Sequence, residues 1–138
     1  MWIAILLGCN GVYDIVCAAN ILWAEDKTTL FARLHLSMFQ EGVEKSSPLF
    51  QRMLAYWICT YGVMRIAAAL MPMPCMLALG IVSYFVEAGC FLHELSFKAS
   101  VQGRPTYFVT ATCLLLCMLF AILYVQGVGL GWLQRFLY

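Results

Sequence analysis

The stretch SPLFQRMLAYWICTYGVMRIAAALMPMPCMLALGIVSYFVEAGCFLHELS, residues 47–96, decides the fold. It holds two apolar runs, 49–71 and 75–95, with only Pro72-Met73-Pro74 between them. At ~1.5 Å of rise per residue, each run crosses a hydrocarbon layer of ~30 Å. Neither proline can continue the hydrogen-bond ladder of the first helix, so the pair reads as a tight hairpin of two membrane helices. Charged residues interrupt both runs: Arg52 and Arg65 in the first, Glu87, His93 and Glu94 in the second. Ionisable groups at membrane depth are costly and turn toward protein, where they find partners.

Working outward, residues 2–23 form another crossing, bracketed by Trp2 and Trp23 as expected at two interfaces and carrying Asp14 near its middle. Ala4 and Gly8 have the spacing of a small-residue contact. Residues 24–48 turn polar. Within them, 28–40 reads as a short amphipathic helix with Leu30, Leu34 and Met38 on one face and Arg33 opposite. It is expected to lie on the bilayer surface, with His35 at that surface. Ser46-Ser47-Pro48 then starts the hairpin. A second polar link, 97–105, leads to a fourth crossing over 106–126, and an aromatic anchor over 132–138 closes the chain.

Composition agrees. Of 138 residues, 64% are hydrophobic and 11% charged, far from the balance of a soluble domain. The fold class is all-α: one integral membrane domain over 1–138, a four-transmembrane-helix bundle with a short interfacial helix between spans one and two. A net charge of +1 supplies no basic field, so nucleic acid is excluded as a partner. The seven cysteines include no CxxC pair and read as small packing residues. The start of the chain has no basic segment of the kind that opens a cleavable signal. No HExxH, GxSxG, P-loop or dinucleotide fingerprint occurs, so no catalytic residues are assigned. His35 and His93 fall on different elements and do not suggest haem or a metal. No cofactor is expected; bound phospholipid is the one ligand the composition accommodates.

Depth orders the charges. Counted from the 72–74 turn, Arg52 and Glu94 lie level at one interface, close to His93, and are expected to pair. Asp14 and Glu87 each lie ~20 Å in from the opposite edge, and Arg65 lies ~8–10 Å nearer that edge. An arginine stem spans several ångströms, so Arg65 is expected to bridge Asp14 and Glu87. Such a cluster serves either as a lock between helices or as part of a proton or ion path. Lys27, Arg33, Lys45, Arg52, Lys98 and Arg104 lie on the side of the links and only Arg135 on the other, which places the links on the cytosolic or matrix side and both termini opposite.

Gln51-Arg52-Met53-Leu54-Ala55-Tyr56-Trp57, Arg65-Ile66-Ala67-Ala68-Ala69 and Gly89-Cys90-Phe91-Leu92-His93-Glu94-Leu95 together resemble the ergosterol biosynthetic protein 28 family, and Tyr13-Asp14-Ile15 fits more loosely. The resemblance spans about residues 8 to 125. Arg52, Trp57, Gly89, Phe91 and Glu94 fall on the family's pattern. Cys90 stands where the family has a histidine, and His93 where it has a small hydroxyl residue. The resemblance implies a small four-span scaffold of the endoplasmic reticulum, without catalysis of its own, that tethers sterol-demethylation enzymes.

Short links, aromatic faces and the lack of a catalytic set point to an accessory subunit that other integral membrane proteins and membrane lipids surround. The first expectation is a supernumerary subunit of a large complex in an energy-transducing organelle membrane, the mitochondrial inner membrane foremost. A reticulum scaffold for sterol-biosynthesis enzymes is the alternative. A small transporter or proton conductor using Asp14, Arg65 and Glu87 is the alternative from another class.

Overall fold

The computed structural model describes residues 2–24, 29–39, 47–71, 73–98 and 103–137. The side chains of the 132–138 anchor, and Lys27, Lys45 and Pro72, lie outside the described set. The chain forms α1 (Trp2–Trp23), α2 (Leu30–Leu36), α3 (Pro48–Leu70), α4 (Pro74–His93) with a π-helical turn Glu94–Lys98 after it, and α5 (Arg104–Leu137). Four of these helices are long and apolar enough to cross a membrane, and no strand occurs among the described residues. The protein is an all-α integral membrane protein.

Proline sets where the hairpin helices begin. Pro48 and Pro74 each stand in the first turn, where a missing N–H breaks no helical bond. Ser47 and Met73 precede them in extended conformation, as residues before proline must. The N–H of Met71 still bonds to the Ala67 carbonyl at 2.9 Å, and the Met73 N–H to the Met71 carbonyl at 2.7 Å, which closes the turn. Gly103, at φ 91°, supplies the left-handed step before α5.

The helices pack in the order α1, α3, α4, α5, with α2 laid against α1. On α1 the inward residues Leu7, Gly11, Asp14, Ala18 and Ile21 recur at helical spacing. Their partners on α3 are Leu54, Ile58, Gly62, Arg65 and Ala68. The tightest point is Gly11 against Gly62. A Cβ on Gly11 would stand 2.7 Å from the Gly62 carbonyl oxygen, and one on Gly62 would stand 2.8 Å from that of Gly11. In lipid, no hydrophobic force separates the inside of a bundle from its outside, so close backbone approach is a main source of helix affinity. Of the anticipated Ala4–Gly8 pair, Gly8 does face α3, with Ala69 beside it.

The interfacial segment differs from expectation. Helix α2 covers only Leu30–Leu36, and its contact face is rotated. Leu30 is 75% exposed, whereas His35, Leu36 and Met38 are buried against the bundle. The spacing of Leu30, Leu34 and Met38 predicts a stripe through Leu30 facing lipid, but three contacts outweigh it. Thr106 donates a hydrogen bond to the Met38 carbonyl at 3.2 Å, Phe39 meets Phe50 edge-on at 5.0 Å, and Tyr13 lies 5.8 Å from Phe31 between ring centres. The segment is a cap on the bundle, and His35 is inside it.

Placing a side chain at the glycine crossing must push the α1 and α3 backbones apart. Gly62→Val is expected to lose about 1–3 kcal/mol of stability, as overpacked contacts do. Gly89→Ala, at a site with open space around it, is expected to lose nothing. Unfolding in mixed micelles with increasing SDS, followed by tryptophan fluorescence, measures both.

Candidate functional site

Three helices converge on Arg65. From α3 its Nη1 donates to Asp14 Oδ2 of α1 at 2.6 Å, and its Nη2 donates to Glu87 Oε2 of α4 at 2.5 Å. Its Nε donates to Ser83 Oγ at 3.1 Å, and that hydroxyl in turn donates to the Gly80 carbonyl at 2.7 Å. The guanidinium lies 3.8 Å from the centre of the Tyr84 ring, a cation–π contact in a dry setting. Arg65 is 1% exposed. Two carboxyl groups from different helices thus share one fork, which suits arginine's planar geometry and would not suit lysine.

Around the fork the polar groups continue. Tyr84 donates to Asn10 Oδ1 at 2.5 Å, and Trp57 Nε1 donates to the Tyr61 hydroxyl at 2.5 Å. Ser83 and Tyr84 lie one turn before Glu87, and Asn10 one turn before Asp14. That spacing is the signal by which the sequence could have supplied them. No comparable signal existed for His35, because nothing in the 24–48 link foretells where α2 docks.

The other expected pair is not made. Among the described ion pairs, none joins Arg52 to Glu94; Glu94 meets His93 Nδ1 at 3.4 Å. Arg52 is exposed, in a surface depression with Trp23, Gln51 and Tyr56. Depth alone had matched Arg52 with Glu94. Thirteen residues separate Arg52 from Arg65, however, and at ~100° per residue this turns Arg52 roughly 220° away from the buried face.

Beside the fork lies a half-enclosed cleft of about 180 Å³. Asp14, Arg65 and Glu87 form its floor, Leu34 and His35 of α2 cover one end, and α1 and α5 form its sides through Tyr13, Val109, Thr112 and Leu116. It follows the seam between α1 and α5, the two helices at the ends of the packing order. His35 is 4% exposed, and its Nδ1 has no hydrogen bond of ordinary geometry among the described residues. Burial pushes its pKa below the ordinary 6.5, while the nearby Glu87 carboxylate and the Phe31 carbonyl one turn back pull the other way. Among the described residues, no group of three or more His, Cys, Asp or Glu could hold a metal ion.

The family model described as Erg28 like protein matches residues 10–120. The chain belongs to the Erg28-like family. The matched segment contains every residue of the fork and of the cleft. No curated protein and no solved structure matches.

Two outcomes test this site. Arg65→Met strands two carboxyl groups in the interior and is expected to cost about 3–5 kcal/mol. Replacing all three residues together (Asp14→Leu, Arg65→Met, Glu87→Leu) is expected to recover most of that loss, because no charge is then left unpaired. SDS-titration midpoints measure both. For His35, a pKa lowered in the folded state means that the unfolded chain takes up the proton first as pH falls. Its contribution is complete above pH 6.5 and is lost progressively below it. Thermal unfolding in detergent between pH 7.5 and 5 is expected to show this loss, and His35→Phe to reduce the slope.

Proposed function

We propose that this protein is a non-catalytic scaffold of the endoplasmic reticulum membrane that holds enzymes of sterol biosynthesis beside one another. Membership of the Erg28-like family carries the reading. The arrangement of the bundle supports it. The mid-span charges Asp14, Arg65 and Glu87 are consumed inward, while the outer faces carry large exposed side chains such as Tyr56, Phe85, Phe97 and Leu115 that membrane-embedded partners can cover. The two polar links, with their basic residues, would face the cytosol.

The energy-transducing membrane anticipated as first choice finds no support in the family membership, and the reticulum alternative takes its place. The proton-conducting alternative is weakened by the state of the fork. Arg65 is bonded to Asp14, Glu87 and Ser83 and stacked on the Tyr84 ring, an arrangement suited to fixing helices.

Affinity purification of the tagged full-length chain in digitonin tests the proposal. Recovery of two or more membrane-bound sterol-synthesis enzymes is expected, together with reticulum staining of the tagged protein in cells. Deletion is expected to raise methyl-sterol intermediates. Recovery of respiratory-chain subunits, or of a lone monomer, would overturn it.

A further inference from the structure

The cleft along the α1–α5 seam has the make-up of a lipid site. Its walls are apolar, and Phe108, 65% exposed, stands at its lip facing the membrane. Its inner end is polar: Arg65 bonds Oδ2 of Asp14 and Oε2 of Glu87, the Cys113 thiol also bonds Glu87, and no described bond takes Asp14 Oδ1. His35 lines the same space, its buried Nδ1 making no hydrogen bond of ordinary geometry among the described residues. A buried polar nitrogen left unpaired costs ~1–3 kcal/mol, so a native site that retains one points to a missing partner.

The chemistry of that partner can be narrowed. Two carboxyl groups share one cation here, so an anionic headgroup would meet net repulsion. A zwitterionic phosphate headgroup would have to shed its hydration, and 180 Å³ leaves it little room. A single hydroxyl fits both demands. Its one O–H donates to a carboxyl oxygen while its oxygen accepts from the imidazole N–H, the tautomer that places the proton on Nδ1. We propose that the α1–α5 cleft binds an uncharged lipid alcohol, its hydroxyl between His35 and the Asp14–Glu87 carboxyl groups and its apolar body leaving past Phe108 into the bilayer. This rests on the cleft alone and stands whether or not the scaffold reading does.

The seam is also where the bundle is least bound. The fork ties α1, α3 and α4, whereas α5 carries no charged residue from 105 to 134 and meets the cap through Thr106. A ligand can therefore enter between α1 and α5 without breaking an ion pair.

The test uses the full chain in phosphatidylcholine nanodiscs with three photoactivatable, clickable probes: a sterol, a diacylglycerol and a phosphatidylcholine. Labelling by at least one of the two alcohols is expected to saturate and to map to peptides of α1, α2 and the first half of α5. Excess unlabelled alcohol is expected to reduce it at least fivefold. Which of the two labels identifies the body the cleft accepts. Thr112→Trp, which fills the cleft from its wall, is expected to reduce labelling similarly while the protein keeps its gel-filtration profile, as is His35→Phe. Alcohol labelling that does not saturate, that spreads evenly over outward residues such as Leu115 and Ile122, or that the phosphatidylcholine probe equals would overturn the proposal. The competition arm needs no variant, so a misfolded mutant cannot leave the question open.

Discussion

Arg65 holds this bundle in one arrangement. A guanidinium at the centre of a membrane has no water to fall back on, so its position is acceptable only where acceptors surround it. Asp14, Glu87 and Ser83 supply them from α1 and α4, and the Tyr84 ring stacks on the guanidinium. Any rotation or slide of α1 or α4 against α3 would unpair a charge. Apolar packing cannot impose that constraint, because lipid is as good a solvent for leucine as another helix is. The fork need not add much net stability to do this. A buried ion pair is often no better than an apolar replacement, and what it supplies is a penalty on every wrong alignment.

The glycine crossing does the complementary work. Gly11 lies one turn from Asp14 on α1, and Gly62 one turn from Arg65 on α3, so the closest backbone approach and the fork sit side by side. Close approach shortens the reach that Arg65 must make, and the fork fixes the register at which the two glycines meet. Each feature is weak evidence of a specific contact when read alone in a sequence. Together they select one face of each helix.

Much of this was legible in the amino-acid order, and the limits have physical causes. Helix number and approximate extent follow from the length of the apolar runs and from proline, because the bilayer fixes a length scale. Depth is legible too: counting residues from the 72–74 turn put Asp14 and Glu87 at one level within reach of Arg65. Direction around the helix axis is harder. In a soluble helix the apolar stripe announces the inner face; here lipid-facing Val63 and Met53 are as apolar as core-facing Ile58 and Leu54. Arg52 and Glu94 were matched by level alone, and the helix turn separates them. Helix α2 shows the opposite limit. Its amphipathic pattern is real, yet the surface it meets is protein, and tertiary contacts through Met38 and Phe39 turned His35 inward.

These constraints divide the molecule in a way that bears on a scaffold. Helices α1, α3 and α4 form a body whose relative positions are set by charge. Helix α5 attaches to α4 without an ion pair among the described residues, through Phe120 against Tyr84 at 5.7 Å between ring centres and the Cys117 thiol donating to the Ile81 carbonyl at 3.9 Å. A protein that only presents surfaces to other membrane proteins gains from such an asymmetry. The charged body keeps one outer surface constant, while the seam can adjust to what lies in it. Occupancy of the seam would then alter the face shared by α1 and α5 and leave the rest as it was. Because the fork forms the floor of that seam, the groups that fix the rigid part are the same groups a membrane-borne hydroxyl would meet, and ligand and architecture become coupled at Asp14 and Glu87.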